Sequence, residues 1–111
     1  MNFDSNKPIY LQIYDAICES VILGELCPHD RIASVRDYGA EIGVNPNTVM
    51  RSYEKLTSDG IIYNKRGIGY FISEEAKEIA LKIMRKDFMD NILPEIRHRM
   101  KLLGISPEEL A

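Results

Sequence analysis

Ser34-Val35-Arg36-Asp37-Tyr38-Gly39-Ala40-Glu41-Ile42-Gly43-Val44-Asn45-Pro46-Asn47-Thr48-Val49 carries two helix starts and one helix stop in close succession. Ser34 is a good N-cap, and Asp37 three residues later completes a spacing that resembles a capping box, with an Asp in place of the usual Glu or Gln. Gly43 can take the left-handed conformation that ends a helix. Only Val44 separates it from Asn45, a second good N-cap, and Pro46 suits the first helical position because its missing N–H would have no partner there anyway. The stretch predicts two short helices joined by a very tight turn. Val35, Tyr38 and Ile42 are the expected inward face of the first. Val49, Tyr53 and Leu56 are the inward face of the second, which runs to about Ser58 before Asp59-Gly60.

On the N-terminal side, Ile9, Ile13, Ile17 and Val21 recur every four residues and mark one buried helical face between about Pro8 and Leu23, with Gly24 as its stop. Leu26 to Ile32 reads as a loop with at most a short extended piece. On the C-terminal side, Ile61-Ile62-Tyr63-Asn64 and Tyr70-Phe71-Ile72-Ser73 are short and rich in β-formers, and Lys65-Arg66-Gly67-Ile68-Gly69 joins them as a basic, glycine-bearing tip. A helix then opens at Ser73-Glu74-Glu75 with the apolar stripe Ala76, Ile79, Ala80, Ile83, Met84, Phe88 and Ile92. Pro94 is expected to break or sharply kink it. A last helix carries Ile96, Met100 and Leu103, stops at Gly104, and is followed by one further turn near Ser106 to Leu110.

The length of 111 residues suits one domain with a small appendage, and 45% apolar with 28% charged residues predicts a folded chain. No apolar run is long enough to span a membrane. MNFDSNKPIY lacks a basic region followed by an apolar stretch, so no secretory signal and a cytoplasmic location are expected. The cysteines Cys18 and Cys27 are then expected to stay reduced. His29 is expected in a solvated turn, and His98 with Glu95 cannot close a metal shell. No nucleophile–base pair, phosphate loop or metal cluster can be assembled, so neither catalysis, metal nor cofactor is expected.

Helix, helix, tight turn, helix and basic hairpin make a winged helix-turn-helix, an α+β arrangement in residues 1–73, with a helical tail in 74–111. In such a motif the third helix enters the DNA major groove, its N-terminal half closest to the base edges. Asn45, Asn47, Thr48, Arg51, Ser52 and Lys55 are expected on its outward side. Ser34 and Arg36, at the start of the second helix, are expected near the phosphate backbone. Lys65 and Arg66 at the wing tip can reach phosphates or an adjacent minor groove, and Gly67 and Gly69 let that tip approach closely. The net charge of −3 opposes DNA binding, but the layout favours it. Asn45 to Gly69 hold four cations and two acids, whereas the remainder holds ten cations and fifteen acids. The plain alternatives are that these cations are solvated surface residues and that the tyrosines are core residues rather than base-stacking platforms.

Pro8-Ile9-Tyr10-Leu11-Gln12-Ile13, Ser34-Val35-Arg36, Gly43-Val44-Asn45-Pro46-Asn47-Thr48-Val49, Asp59-Gly60-Ile61-Ile62 and Arg66-Gly67-Ile68-Gly69-Tyr70-Phe71-Ile72 resemble the winged-helix domain of GntR-type bacterial transcription regulators over about residues 6 to 73. The Asn-Pro-Asn-Thr-Val run and the short tail resemble the YtrA-like subfamily. Arg36, Thr48 and Arg51 carry over best from the family pattern. The resemblance implies a dimeric DNA-binding repressor, often of transport operons, with a two-helix C-terminal dimerisation region and no large effector domain.

Ile79, Ile83, Phe88, Ile92, Ile96 and Met100 offer more apolar face than the tail can hide, so a twofold homodimer is expected, with the tail folding back on the first helix as the alternative. A dimer matches a palindromic double-stranded DNA operator with half-sites roughly 10 base pairs, or a multiple, apart. An unidentified small-molecule effector is a further candidate partner. Two rival readings stay open: a winged-helix protein-interaction module without DNA binding, and a small-molecule-responsive sensor with a pocket at the dimer tail. The acidic total favours the first slightly, and the short tail without convergent polar residues argues against the second.

Overall fold

Pro8 caps α1 (Ile9–Ile22), whose buried face is Ile13, Tyr14, Ile17, Cys18 and Val21. Ile9, expected on that face, is 47% exposed because it stands in the first turn, beyond the core it was to cover. In this computed structural model, which describes residues 6–111, β1 (Arg31–Ile32), α2 (Val35–Ile42), α3 (Pro46–Ser58), β2 (Ile62–Lys65) and β3 (Gly69–Ile72) follow. Residues 1–5, which contribute to the reading of the N-terminus as lacking a signal, lie outside the described residues.

The caps read from the sequence form as hydrogen bonds. Ser34 Oγ accepts from the Asp37 amide at 3.1 Å, and Asn45 Oδ1 accepts from the Asn47 amide at 2.8 Å. Gly43 closes α2 in the left-handed region at φ 71°. The buried residue of α2 is Gly39, while Val35, Tyr38 and Ile42 are only half-buried. A Cβ at Gly39 would stand 2.6 Å from the Val44 carbonyl oxygen, so α2 meets the entry to α3 at a point where only hydrogen fits. Val49, Tyr53 and Leu56 of α3 are fully buried and form the core with Ile13, Ile61, Ile62 and Ile72. Each such side chain contributes about 1.5–3 kcal/mol by leaving water.

The strands form one antiparallel sheet in the order β1-β3-β2. The extended piece before α2 is a true edge strand, with Arg31 opposite Phe71 and Ile32 opposite Tyr70. The wing ladder extends to the pair Lys65–Gly69, so the tip is Arg66-Gly67-Ile68, two residues shorter than the connection read from sequence. The Ile68 amide donates to the Lys65 carbonyl at 2.8 Å, and Gly67 takes φ 79°.

The C-terminal helices are present as α4 (Ala76–Asp87) and α5 (Leu93–Leu103). Pro94 does not break the chain between them. A π-helical segment, Phe88–Ile92, bridges them, and Pro94 falls in the first turn of α5, where its lack of an N–H is tolerated. A 3-10 turn, Pro107–Leu110, ends the chain under a capping box made by Ser106 and Glu109. The chain divides into two compact units, the first ending at Ala80 and the second being Leu81–Ala111, rather than at 73/74. Ala76 and Ala80 are buried and Ile79 lies over Gly60, so the first turns of α4 are packed with the first unit.

Cys18 is buried and Cys27 exposed, and both are free. Burial, then the nearby Asp15 carboxylate, pushes the Cys18 thiol up to about 12. Burial also holds the Tyr14 phenol above its ordinary range, reinforced by its 2.6 Å hydrogen bond to Asp59. It does the same for Tyr53, reinforced by the Tyr38 and Tyr70 phenols. In the unfolded chain the thiol ionises near pH 8.5 and the phenols near 10. The unfolded state therefore loses these protons first, and the stability they contribute is intact below about pH 8 and lost as pH rises toward 12. Denaturant midpoints are expected to fall between about pH 8.5 and 11, with Cys27 modified rapidly by a thiol reagent and Cys18 only on unfolding. Midpoints level across that range, or two equally reactive thiols, would contradict this packing.

Candidate nucleic-acid interface

The first half of α3 leaves one side uncovered. Asn47, Met50 and Arg51 are exposed, Thr48 is half-buried, and Asn45 is exposed while holding the cap. The Arg51 guanidinium lies over the Tyr10 ring, 4.0 Å from its centroid, a stacking that holds the plane and leaves its N–H edges available. Arg36 is exposed on the first turn of α2 and, among the described residues, makes no hydrogen bond or ion pair. Ser34 stands beside it with its oxygen engaged in the cap.

Two residues expected on the outward side are placed otherwise. Ser52 is fully buried, and its hydroxyl donates to the Tyr10 carbonyl at 2.6 Å, fastening α3 to the first turn of α1. At 100° per residue it falls about 40° from Leu56 and about 60° from Val49, at the edge of the buried stripe, where its polarity alone points outward. Lys55 is half-buried, 3.1 Å from Asp59 Oδ2 and over the Tyr14 ring at 4.5 Å, so its charge is engaged within the protein at the far end of α3. Ser52→Ala is expected to lower stability by about 0.5–1.5 kcal/mol and to leave the DNA affinity of the folded protein within about twofold, read from a denaturant titration and a binding titration. A large affinity loss at unchanged stability would return Ser52 to the interface.

At the wing, Arg66 and Ile68 are exposed, Ile68 by 55%, and the Cβ direction of Gly67 faces open space. Arg66 makes no hydrogen bond or ion pair among the described residues. Lys65 is exposed but folds its ammonium 5.0 Å above the Phe71 ring. Tyr70 faces α3, edge-on to Tyr53 at 5.0 Å, so alternation along β3 puts Phe71, and with it Lys65, on the opposite face of the sheet. Gly69 does not keep its tip side open for close approach. The Arg31 guanidinium occupies it, with Nε 2.9 Å from where a Cβ would stand.

His29 is exposed, as expected of a turn residue, but it is pinned. At φ 69° it sends Nδ1 to the Tyr63 hydroxyl at 2.8 Å and Nε2 to Glu74 at 2.7 Å. Within the second unit, Phe88 and Ile92 are each 43% exposed and Ile96 38% exposed, while Ile83 and Met100 are half-buried. Ile79, grouped with them from sequence, rests on Gly60 in the first unit instead. Leu103, expected on the apolar side of the last helix, is exposed too, and Leu81, Met89 and Leu102, which the sequence pattern does not single out, join the exposed apolar set. Also missed were Arg31, Tyr10, Met50 and Ile68. A two-residue strand shows no alternation, and exposed apolar groups carry no charge signal.

A basic-tipped wing beside an exposed α3 start defines a transcription regulator with a winged helix-turn-helix DNA-binding domain. The profile described as "Bacterial regulatory proteins, gntR family" matches residues 9–72, and the chain belongs to that family. It is 40% identical over 111 aligned residues to the HTH-type transcriptional regulator YhcF of Bacillus subtilis (strain 168), covering 97% of this chain and 88% of YhcF. It is 44% identical over 73 residues to the HTH-type transcriptional repressor YtrA of the same organism, covering 66% of this chain and 56% of YtrA. Among solved structures, a GntR family transcriptional regulator from Listeria monocytogenes superposes with a TM-score of 0.78 at 34% identity, covering 97% of this chain and 93% of that one.

Proposed function

We propose that the protein is a homodimeric repressor that binds a palindromic operator and blocks polymerase. Asn47, Thr48 and Arg51 read base edges in the major groove, with Met50 in apolar contact. Asn45, Ser34 and Arg36 meet the flanking phosphates, and the wing tip at Arg66-Gly67 meets the adjacent backbone or minor groove, with Lys65 adding to the local field. The observation that carries this reading is the pair of exposed guanidinium groups, Arg36 and Arg66, that have no partner among the described residues and flank the exposed start of α3. Exposed guanidinium groups are stable in water without a partner, so what marks these two is their place on either side of the α3 start, where the phosphates of a duplex meeting that helix would lie.

The homodimer reading is supported by the exposed Phe88, Ile92 and Ile96, which one copy leaves in water and an isologous partner would cover. No helix among the described residues is long and apolar enough to cross a membrane, and action on a chromosomal operator requires the protein in the cytoplasm. The test is a titration of the protein's own upstream region at several salt concentrations. Specific binding is expected, with the slope of log K against log salt reduced by about 4 in Arg36→Ala/Arg66→Ala, because each of the two copies loses two phosphate contacts. No binding at low salt by the folded protein would reject the proposal.

A further inference from the structure

We propose that Arg31 is the positioning residue of the wing: its guanidinium braces the tip so that Arg66 is presented at a fixed distance from α3. The inference rests on the DNA-binding reading above and assigns the part that sets the wing's geometry. Arg31 Nη2 donates to the Ile68 carbonyl at 2.5 Å, although the two residues are far apart in sequence. Arg31 stands opposite Phe71 in the ladder, so its side chain leaves the same face as Gly69, two residues along β3. There it lies flat on Gly69, with Nε, Nη2 and Cζ at 2.9, 3.2 and 3.4 Å from the position a Cβ would take. The absence of a side chain at Gly69 is what admits the guanidinium, and the guanidinium in turn satisfies a tip carbonyl that the hairpin's own ladder leaves unpaired.

The other end of the brace is fixed to the recognition helix. Ala33, two residues beyond Arg31, offers its carbonyl to the Tyr53 hydroxyl of α3 at 2.6 Å. Tyr53 is fully buried and packs edge-on against Tyr70 of β3. A continuous path of hydrogen bonds and backbone therefore runs from α3 through Tyr53, Ala33 and Arg31 to the wing tip. A planar fork is suited to this, because it can cover the glycine and donate in the same plane, whereas a lysine offers only a point charge.

The test uses the full chain in two stages. In the DNA-free protein, 15N heteronuclear NOEs of the Gly67 and Ile68 amides are expected to fall in both Arg31→Ala and Arg31→Lys, with the amides of α1 unchanged. Then the operator affinities of Arg31→Ala, Arg66→Ala and the double variant are compared. Arg31→Ala is expected to weaken binding roughly tenfold, the scale of one charge-assisted hydrogen bond. Its loss is expected to shrink in the Arg66→Ala background, because Arg31 acts through the tip. Tip amides as ordered as in the parent protein, a lysine that fully restores affinity, or losses that simply add would overturn the brace and make Arg31 an ordinary phosphate contact. A tip that loosens in a chain that binds no operator in any form would overturn the DNA reading and leave the brace standing.

Discussion

Gly39→Ala is expected to destabilise the protein by about 1–3 kcal/mol, although alanine is the better helix former. The added Cβ would stand 2.6 Å from the Val44 carbonyl oxygen, a backbone atom that cannot swing aside as a side-chain end can. Pro46 N and Val49 Cγ2 both lie at 3.6 Å and close the other directions. The Gly39 carbonyl also accepts from the Val44 amide at 2.9 Å, so moving one helix strains the bond that ties the turn. Relief requires α2 to shift relative to the start of α3, and operator affinity is expected to fall along with stability. Gly43→Ala is the control. Nothing lies within 4 Å of its Cβ position, and only the left-handed φ of 71° is strained, for about 1 kcal/mol. Denaturant titration of the two variants separates steric from conformational cost. Gly39→Ala as stable as the parent would show that the helices can part without loss.

Phe88→Asp/Ile92→Asp is expected to keep the chain monomeric, where the proposed homodimer would otherwise form, and to lower operator affinity by about 10²–10⁴-fold. A half-site bound by one copy loses the effective concentration supplied by the other. Both side chains are 43% exposed in the single chain, so two carboxylates there are hydrated at little cost to the monomer and cannot be buried unpaired between two copies. Sedimentation measures the first effect and a binding titration the second. A double variant that remains dimeric would move the interface elsewhere. One that becomes monomeric with full affinity would show that a single winged helix suffices.

The helix-turn-helix was legible because its boundaries are written in local chemistry: Ser34, Gly43 and Asn45-Pro46 act through hydrogen bonds and dihedral preferences confined to a few residues. The wing was legible from two β-rich runs around a basic tip. The rest depends on contacts distant in sequence. β1 is too short to alternate and exists because β3 pairs with it. Ser52 was read by polarity, yet its angular position on α3 buries it, and the Tyr10 carbonyl satisfies its hydroxyl. Gly69 looks like open space for DNA from its neighbours in sequence, and only the distant Arg31 fills it. Pro94 announces a break, but nothing in its neighbours announces the π segment that replaces it.

Amide chemical-shift mapping with an operator duplex tests most directly whether the exposed start of α3 and the wing tip together meet DNA. The expected perturbations cluster at Ser34–Arg36, Asn45–Arg51 and Arg66–Ile68 and fade as salt rises. Perturbations concentrated on the far side of α1 or along Leu81–Ala111, with those three segments silent, would contradict it.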